Sequence, residues 1–503
     1  MKYVVLVLYI LMLVAVLITT AKKNLSLNEF LLGGRNIGPW MSAFSYGASY
    51  FSAVIIIGYA GSMGWNYGAA ATWAGIGNAI IGSLLAWRFL AKPARSMGER
   101  LSVTTIPEFF EKRYSSKALK IFAALLIFVF LIPYSASVYK GLGMMFKIAL
   151  GIDYTWCVIG IALLAGAYLF FGGYKATAIT DFVQGIIMLF GIIAIFLFVI
   201  FGGAGGISAG LEKLGDAAIG GPEMNTLFYG GQDKWGLISN IILTSFGVWG
   251  MPQMVHKFFA IKDTKSVKHA TIISTVFALI IAGGAYFMGG FGRVILARIT
   301  DPATGETLHA MVESGAMAKD AIMPTIFVSD VVGMPPALIG LLIVLLLSAS
   351  ISTLTGLVLA SSSVITLDLV GSAAPKMKQQ SLTLLMRVLC LVFVALSLVI
   401  NFTMQDTPIM SLMSLSWGTL AGAFLAPFLY GLVWKGVTKA GAYAGIISGA
   451  LISVVPPLIM GMSVAPSSGA IAILSGLVIV PVVSLLTPKT KFSDERMREV
   501  FGK

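Results

Sequence analysis

The chain has 503 residues, of which 58% are hydrophobic and only 11% are charged, and its mean hydropathy is +0.93. Water-soluble domains carry about 25% charged residues, so this composition excludes a soluble globular protein and predicts an all-α polytopic membrane protein. A transmembrane β-barrel is also excluded, because its strands would alternate in polarity instead of forming unbroken apolar runs.

Thirteen hydrophobic segments follow one another along the chain, each close to the roughly 20 residues that a membrane-spanning helix needs. We number them as the first to the thirteenth span. They lie at about 3–21, 38–61, 68–91, 118–149, 155–171, 178–202, 235–258, 269–293, 336–370, 382–403, 409–433, 439–460 and 468–487. We expect about thirteen transmembrane helices in a single domain over residues 1–503.

The basic residues predict the orientation. If the N-terminus lies outside, most of the 34 Lys and Arg residues fall on the inner side, as cytoplasmic loops favour. The net charge of +13 is therefore a topology signal, and we expect a lipid bilayer rather than nucleic acid as partner. The expected location is the cell (inner) membrane, with a cytoplasmic C-terminus. The first span is read as a retained helix, since Lys22 and Lys23 follow it without an evident cleavage site.

The second and seventh spans both contain residues that interrupt helices. The second reads SYGASYFSAVIIIGYAG (45–61), and the seventh contains FGVWGMPQ (246–253). Glycine and serine in membrane helices often only permit close packing. Two such segments five spans apart, however, are typical of inverted repeats, whose broken helices enclose a ligand.

The repeat hypothesis divides the chain. The first repeat would cover 38–202 and the second 235–433. An extra helix at 3–21 and two more at 439–487 would lie outside the repeats. The short segment TTIPEFFEKRY (104–114) predicts a cytoplasmic helix, with a proline at its start and bases at its end.

Two charged residues within the hydrophobic segments are candidates for function, because such residues are expensive in a bilayer. Asp181 begins the sixth span, and it could be a station for a cation or an interfacial acid paired with Lys175. Lys140 lies deep in the fourth span. It could extend towards water, neutralise a buried acid or hold a substrate carboxylate.

The ninth span, LLLSASISTLTGLVLASSSVITLDL (345–369), is rich in hydroxyl groups. Such hydroxyls can simply bond to carbonyls of their own helix. A sodium ion, however, is bound by several oxygen atoms. The hydroxyls of Ser352 and Thr353, with carbonyls freed by a broken helix, would supply them. No phosphate-binding GxxxxGK[ST] motif is present, which favours an ion gradient as the energy source over ATP hydrolysis.

These segments resemble the sodium/solute symporter family. The resemblance rests on NEFLLGGRNIG (28–38), TTIPEFFEKRY (104–114), FGGYKATAITDFVQG (171–185), GMPQMVHKFFAIKD (250–263) and the ninth span, in that order. It implies a fold of two inverted five-helix repeats (the leucine-transporter type), no enzymatic activity, and Na⁺ as the coupling ion. The implied sodium ligands are the carbonyls of Ala48, Phe51 and Ala349 and the hydroxyls of Ser352 and Thr353. Asp181 is implied in ion movement.

The chain departs from sodium/proline symporters at positions that bear on the substrate. Tyr50 replaces an aspartate of those symporters, and Thr244 and Val248 replace a tryptophan and a tyrosine, whereas Tyr134 is retained. Faces that carry polar side chains in the family's sugar carriers are apolar here, as at Ile55.

A small solute with a carboxylate is therefore expected: an amino acid such as proline, a monocarboxylate or a pantothenate-like acid. The alternatives are a sugar or sialic acid symporter and, from other classes, a proton-coupled carrier, a channel or a transporter-like membrane sensor. Candidate substrate residues are Ser49, Ser52, Trp73, Asn78, Tyr134, Lys140, Thr244, Val248, Trp249 and Gln253. A monomer would suffice for transport, and the sequence leaves the oligomeric state open.

Overall fold

The computed structural model describes residues 1–20, 37–488 and 494–502, without the side chains at 17, 19–20, 169, 171–176, 494 and 496–497. This part of the chain is helical, and its extended pairings are two isolated bridges. Nine of its helices are long and apolar enough to cross a membrane, and two shorter apolar helices accompany them. The predicted all-α polytopic membrane fold is confirmed. Most of the NEFLLGGRNIG segment lies outside the described residues.

Each of the thirteen predicted spans corresponds to helical structure. The first to fourth are Lys2–Thr20; Pro39–Tyr50 with Val54–Tyr59 and Ala60–Tyr67; Gly68–Ala71 with Thr72–Gly77, Asn78–Leu85, Trp87–Ala91 and Lys92–Arg100; and Lys117–Leu150. The fifth and sixth share Tyr154–Leu197, continued by Phe198–Gly203. The seventh to ninth are Lys234–Phe246 with Gly247–Trp249 and Pro252–Ala260; Thr264–Ala278 with Leu279–Gly283 and Gly284–Gly290; and Pro336–Ser363 with Val364–Gly371. The tenth to thirteenth are Gln379–Thr403, Ile409–Val433, Lys439–Met460 and Ala465–Leu486.

Shorter helices lie between and after the spans. They are Ile106–Tyr114, Ile207–Leu214, Gly292–Leu296, Leu308–Glu313, Lys319–Ala321, Ile322–Val328, Met462–Val464 and Asp494–Phe501. The helix predicted within TTIPEFFEKRY is thus present. Its N-cap is Thr105, whose side chain accepts a hydrogen bond from the Glu108 amide, and Glu108 in turn accepts one from the Thr104 amide at 2.7 Å. These reciprocal bonds satisfy amide groups that a helix start leaves unpaired.

The fifth and sixth spans bend sharply against each other although their helical backbone is continuous. The hydroxyl groups of Tyr168 and Thr180 lie 2.9 Å apart. Twelve residues of a straight helix rise about 18 Å, which is more than these two side chains can bridge. The chain must therefore turn back between them, in agreement with two separate predicted spans.

The second and seventh spans run antiparallel and contact each other at both ends. Ile37, just before the second span, pairs with Ile261, just after the seventh. At the opposite end, the Tyr67 hydroxyl donates a 2.8 Å hydrogen bond to Asp233. We call the end with Asp233 and the two long connections, 204–233 and 291–335, the outer end. The opposite end, with Ile261, is the inner end.

Close backbone contacts between small residues hold the helices together. A Cβ atom at Gly64 in the second span would lie 1.9 Å from the carbonyl oxygen of Gly289 in the eighth. The eleventh and thirteenth spans approach similarly at Gly418 and Gly469. Small residues allow such approach between membrane helices, where dispersion contacts replace the hydrophobic effect as the source of stability.

Candidate sodium and solute site

The second span is broken where the sequence predicted a break. Its first helix ends at Tyr50, and Phe51 adopts an extended conformation with φ −108° and ψ 90°. The chain becomes helical again from Ala53, in a π-helical turn over Val54–Tyr59. The last carbonyls of a helix lack the amide donors of a following turn, so Ala48 and Ser49 present oxygen atoms to their surroundings.

The ninth span supplies hydroxyl groups to these carbonyls. Thr353 Oγ1 lies 3.4 Å from the carbonyl oxygen of Ala48, 3.1 Å from that of Ser49 and 3.0 Å from that of Ala349. The hydroxyl of Ser352 lies 3.3 Å from that of Ser49. All five residues are buried.

This group of oxygen atoms fits a hard cation. Such a cation takes oxygen ligands at about 2.3–2.6 Å, as calcium does, so two of its ligands lie roughly 3–4 Å apart. The observed oxygen separations fall in that interval. Of the five sodium ligands expected from the resemblance, Ala48, Ala349 and Thr353 lie together. Ser352 contacts the same helix end at Ser49, and Phe51 lies in the break.

Asp181 lies beside this group, towards the inner end, and its carboxylate interacts with the side chain of Ser352. Its carboxylate accepts a hydrogen bond from Ser45 and lies 3.6 Å from the ammonium of Lys257. Lys257 also donates to Ser45 Oγ at 2.6 Å. Asp181 therefore pairs with Lys257 on the seventh span. The side chain of Lys175, which was one of the two alternatives considered for Asp181, lies outside the described residues.

The seventh span is broken as well, and the two broken helices are joined by side chains. Lys234–Phe246 gives way to the short turn Gly247–Trp249, and helix resumes at Pro252 after the extended Met251. The Tyr50 hydroxyl donates a 2.6 Å hydrogen bond to the carbonyl of Thr244. Tyr50 thus occupies, beside the seventh span, the position where an aspartate was expected in proline symporters.

Asn78 in the third span completes this contact. In the orientation with the amide nitrogen towards the seventh span, it donates to Thr244 Oγ1 at 3.0 Å and to the Tyr50 hydroxyl at 3.3 Å. Amide orientation is assigned from the hydrogen-bond network. Tyr50, Asn78 and Thr244 are all fully buried. Two predicted substrate residues, Asn78 and Thr244, are therefore brought together by Tyr50.

Aromatic rings line the other side of the break. Tyr134 packs edge-on against Trp417 with ring centroids 5.7 Å apart, and Trp417 lies 5.9 Å from Tyr50. The Tyr134 hydroxyl and the Trp417 indole nitrogen are buried and make no hydrogen bond of good geometry among the described residues, although Ser52 and Trp417 lie close to that hydroxyl. Ser52, in the break, accepts a hydrogen bond from the Val54 amide. Buried polar atoms without partners are rare in native structures, and a ligand is one explanation for them.

Lys140 lies apart from this cluster, towards the outer end. Its ammonium donates to the carbonyls of Gln405 and Thr407, each at 2.6 Å, and lies 3.5 Å from the carboxylate of Asp320. Asp320 in turn accepts from the Ile409 amide at 3.0 Å. Burial raises the pKa of Asp320, and the nearby Lys140 partly offsets this. Of the roles open for Lys140 in the sequence, this geometry matches the neutralisation of a buried acid.

A cavity of about 720 Å³ lies at the outer end, and Lys140 is the predicted substrate residue that lines it. Its wall combines polar groups of the second, fourth, seventh and eleventh spans with the loop around Asp320. Beneath it, the Tyr59 hydroxyl bonds to Ser414 at 2.6 Å and so joins the outer half of the second span to the eleventh. We call this cavity the vestibule.

The remaining predicted substrate residues lie elsewhere. Trp73 is 38% exposed and donates to the carbonyl of Leu227 in an outer connection, away from the break. Trp249 donates to the Ile81 carbonyl. Val248 is buried in the turn of the seventh span. Gln253 lines a small cavity with Lys257 near the inner end.

Three residues in these clusters were missed from the sequence as site candidates. Lys257 contributes to the excess of basic residues near the inner end, although a lysine inside a hydrophobic segment is itself a signal of function. Trp417 lies in an apolar run that resembles ordinary core. Asp320 sits in a long loop, where nothing in the sequence indicates that it reaches Lys140.

Comparisons with known proteins agree with this architecture. Residues 30–449 match the sodium:solute symporter family. A sodium/proline symporter of Staphylococcus aureus is 30% identical over 464 residues, covering 90% of this chain and 85% of the relative. A second one, from the bovine strain RF122 / ET3-1, is 31% identical over 443 residues, covering 86% and 80%.

Two solved structures share the fold. One is a Na⁺-coupled sialic acid symporter in a substrate-bound outward-open state that reveals a novel Na⁺ site. It is 19% identical, with a TM-score of 0.78 and coverage of 98% of this chain and 99% of that one. The other is MHP1, a nucleobase-cation-symport-1 family transporter, in a closed conformation with bromovinylhydantoin bound; it is 15% identical, with a TM-score of 0.54 and coverage of 94% and 98%. The family match spans most of the chain and the broken helices fit it, so this chain belongs to the sodium:solute symporter family.

Proposed function

We propose that this sodium symporter imports a small organic solute carrying a carboxylate, by alternating access. The observation that carries the proposal is the contact of Thr353 with the carbonyls at the break of the second span. A sodium ion held between these oxygens would tie the second span to the ninth. Sodium and solute would then favour the same arrangement of the broken helices, and each would raise the other's affinity by the same factor.

The proposed sodium ligands are the carbonyls of Ala48, Phe51 and Ala349 and the hydroxyls of Ser352 and Thr353. Asp181, beside these ligands on their inner side, flanks the inward path of the ion. Entry would be favoured by a negative membrane potential, at about 2.3 kcal/mol per charge per 100 mV. The proposed role is transport of the ion and the solute, without a chemical reaction.

The proposed solute is an amino acid such as proline, a monocarboxylate or a pantothenate-like acid. A carboxylate only accepts hydrogen bonds, and Tyr134 and Trp417 offer buried donors beside the broken helix. The relatives named sodium/proline symporter support an amino acid. The site differs from the one expected in those relatives, because Tyr50 bonds to Thr244 where an aspartate was expected. For this reason the other acids remain candidates.

The second candidate is a sugar or sialic acid. It is favoured by the similarity of the fold to the Na⁺-coupled sialic acid symporter. The apolar and fully buried side chains at Ile55 and Ala74 disfavour a sugar, because each sugar hydroxyl needs a partner when it is buried.

For the cellular setting we propose the cell (inner) membrane, with the outer end facing outwards and the C-terminal helix Asp494–Phe501 in the cytoplasm. The proposed transport unit is one chain, because the proposed ligands of the ion and the solute all come from one copy. This orientation places the vestibule on the side from which sodium enters.

Uptake into proteoliposomes tests the proposal. Purified protein would be given labelled proline, other amino acids, pantothenate, short monocarboxylates, sialic acid and galactose, with an inward sodium gradient or with potassium in its place. We expect sodium-dependent accumulation of proline, another amino acid, pantothenate or a short monocarboxylate. Accumulation of sialic acid alone or galactose alone would contradict this solute class and support the second candidate. Uptake driven only by a proton gradient would contradict the ion assignment, and rapid flux without accumulation would indicate a channel.

A further inference from the structure

The pair formed by Asp181 and Lys257 bears on the number of ions that the protein carries. We propose that the ammonium of Lys257 acts as a built-in cation beside Asp181, so that each transported solute is coupled to a single sodium ion. Lys257 is then a positioning residue that determines the sodium stoichiometry. This inference rests on the proposed sodium site and adds to it.

Without Lys257, the surroundings of Asp181 would suit a second cation. The carboxylate is almost fully buried, with 2% of its side chain exposed. The Ser45 hydroxyl lies against it. A buried carboxylate with a neighbouring hydroxyl is a group of hard oxygen ligands, and a charge in this position must be matched by an opposite charge.

Lys257 supplies that charge from the protein. Its ammonium lies 3.6 Å from the carboxylate, and only 4% of its side chain is exposed. It also donates to Ser45 at 2.6 Å, so Ser45 contacts both charged groups. Hydrogen bonds to both charges are what allow a buried ion pair to persist.

The pair lies directly beside the proposed sodium site, because the Asp181 carboxylate interacts with the Ser352 side chain as well as with Ser45. Ser45 and Ser49 are four residues apart on the helix Pro39–Tyr50, which places them on the same face and about 6 Å apart along the axis. Ser45 contacts the pair, and Ser49 contacts Ser352 of the proposed sodium site. Because Asp181 and Lys257 together carry no net charge, a sodium ion bound at that site meets a neutral neighbour.

The pair also joins three elements. Asp181 belongs to the sixth span, Lys257 to the inner half of the broken seventh span, and Ser45 to the inner half of the broken second span. A sodium ion in place of the ammonium would leave when the inner side opens, whereas Lys257 remains with the protein. The charge of Lys257 therefore stays with the protein in every cycle. Unlike a transported sodium ion, it does not couple solute uptake to the sodium gradient.

Counting ions tests the inference. Binding of radioactive sodium to the full-length protein in detergent gives the number of ions per chain, and the ratio of sodium to solute uptake in proteoliposomes gives the number per cycle. We expect one in both measurements for the wild type and for Lys257→Arg, which keeps the charge. Lys257→Met leaves Asp181 without its cation, and we expect this variant to bind two ions. The double variant Lys257→Met/Asp181→Asn, which lacks both charges, should return to one.

Two ions per chain in the wild type, or one in folded Lys257→Met, would overturn the inference. Binding does not require transport, so a variant that has lost uptake still decides the question. If Lys257→Met does not fold, Lys257→Gln is counted in its place, because it also removes the ammonium beside Asp181; one ion in that variant overturns the inference and two support it. The proposed function fails separately: it is refuted if no solute shows sodium-dependent uptake, whereas sodium-dependent uptake with two ions per solute refutes only the role of Lys257.

Discussion

At the residue scale, Ser363 and Thr353 show two ways in which a hydroxyl group of the ninth span forms hydrogen bonds. Ser363 bonds to a carbonyl of its own helix, as hydroxyls in membrane helices commonly do. Thr353 also bonds within its helix, to Ala349, but reaches the carbonyls of Ala48 and Ser49 in the second span as well. Only a hydroxyl that reaches the second span, as that of Thr353 does, can contact an ion bound between the two spans.

Removal of these hydroxyls is expected to weaken sodium dependence more than it weakens the fold. For Ser352→Ala or Thr353→Ala, the sodium concentration for half-maximal uptake should rise about tenfold, which corresponds to about 1.4 kcal/mol. The free energy of unfolding should fall by only about 1 kcal/mol, the usual contribution of one hydrogen bond. Initial uptake rates at increasing sodium concentration, together with thermal denaturation in detergent, measure both effects.

The matched control is Ser363→Ala, which removes a buried hydroxyl from the same span but no contact with the second span. Its sodium dependence should equal that of the wild type. The ligand assignment is wrong if Ser352→Ala and Thr353→Ala both keep the wild-type sodium dependence, or if Ser363→Ala shifts it equally.

A second prediction concerns Lys140, whose ammonium lies beside the buried carboxylate of Asp320 and is therefore expected to neutralise that acid and not to bind the solute. Lys140→Met leaves the buried carboxylate of Asp320 without its cation, and breaking a buried pair in this way costs about 3–5 kcal/mol. The double variant Lys140→Met/Asp320→Asn removes both charges, while an asparagine oxygen can still accept from the Ile409 amide. We expect it to recover most of the lost stability and a near-normal Michaelis constant for the solute.

The alternative role of Lys140, holding the solute carboxylate, leads to a different result. The Michaelis constant would then rise in Lys140→Met and stay high in the double variant, whatever happens to stability. Thermal denaturation and solute titration of the two variants, with Asp320→Asn alone as a third, separate the two roles.

At the element scale, the break of the seventh span depends on a close approach to the eleventh. A Cβ atom at Gly250 would lie 2.7 Å from Ala421 Cα and 3.0 Å from the Leu425 amide nitrogen. Backbone atoms cannot move aside as a side chain can, so Gly250→Ala should separate the two helices. We expect a loss of about 1–3 kcal/mol in stability, as for other overpacked sites, and a marked loss of uptake.

Gly160→Ala provides the control for this variant, because a Cβ atom at Gly160 in the fifth span would meet nothing within 4 Å. Denaturation temperature and uptake rate of the two variants, measured side by side, test the prediction. Equal behaviour of Gly250→Ala and Gly160→Ala would mean that the approach of the seventh and eleventh spans is not needed for transport.

Much of this architecture could be predicted from the sequence, because the membrane allows few alternatives. Unbroken apolar runs predict the spans, and glycine and proline in FGVWGMPQ predict the break that lies at Gly247–Met251. Local residue preferences and the need to pair every backbone group act within one segment. The sequence of a single segment is therefore enough to predict whether it forms a helix and where that helix breaks. The helix continuous over Tyr154–Leu197 was not predicted, since the hydropathy pattern gives two separate segments at 155–171 and 178–202.

The clusters around the breaks were predicted less completely, because they depend on which spans become neighbours. Ser352 and Thr353 stand out through their hydroxyls and through the family pattern. Trp73 does not: a tryptophan at a helix end fits a binding site or an exposed surface equally well, and only the tertiary structure places it against Leu227. The pairing of Asp181 with Lys257 joins residues 76 positions apart, and no local signal encodes that separation.

At the scale of the whole molecule, two buried ion pairs lie at different depths on either side of the broken helices. Lys140 and Asp320 join the fourth span to the outer loops, and Asp181 and Lys257 join the sixth span to the inner half of the seventh. Alternating access requires contacts near one end to loosen while those near the other persist. In the proposed alternating access, each pair would therefore stabilise closure on its own side of the bundle.

The orientation of the whole molecule can be tested with single cysteines. The native Cys157 and Cys390 are both buried, so background labelling should be low. Ala303 is exposed in the outer connection, and Ala373 is exposed beyond the ninth span at the inner end. In intact cells, a membrane-impermeant maleimide should label Ala303→Cys and leave Ala373→Cys unmodified until the cells are opened. The reverse pattern would place the N-terminus inside and turn the vestibule, with Lys140 at its wall, towards the cytoplasm; import would then have to begin at the opposite end of the bundle.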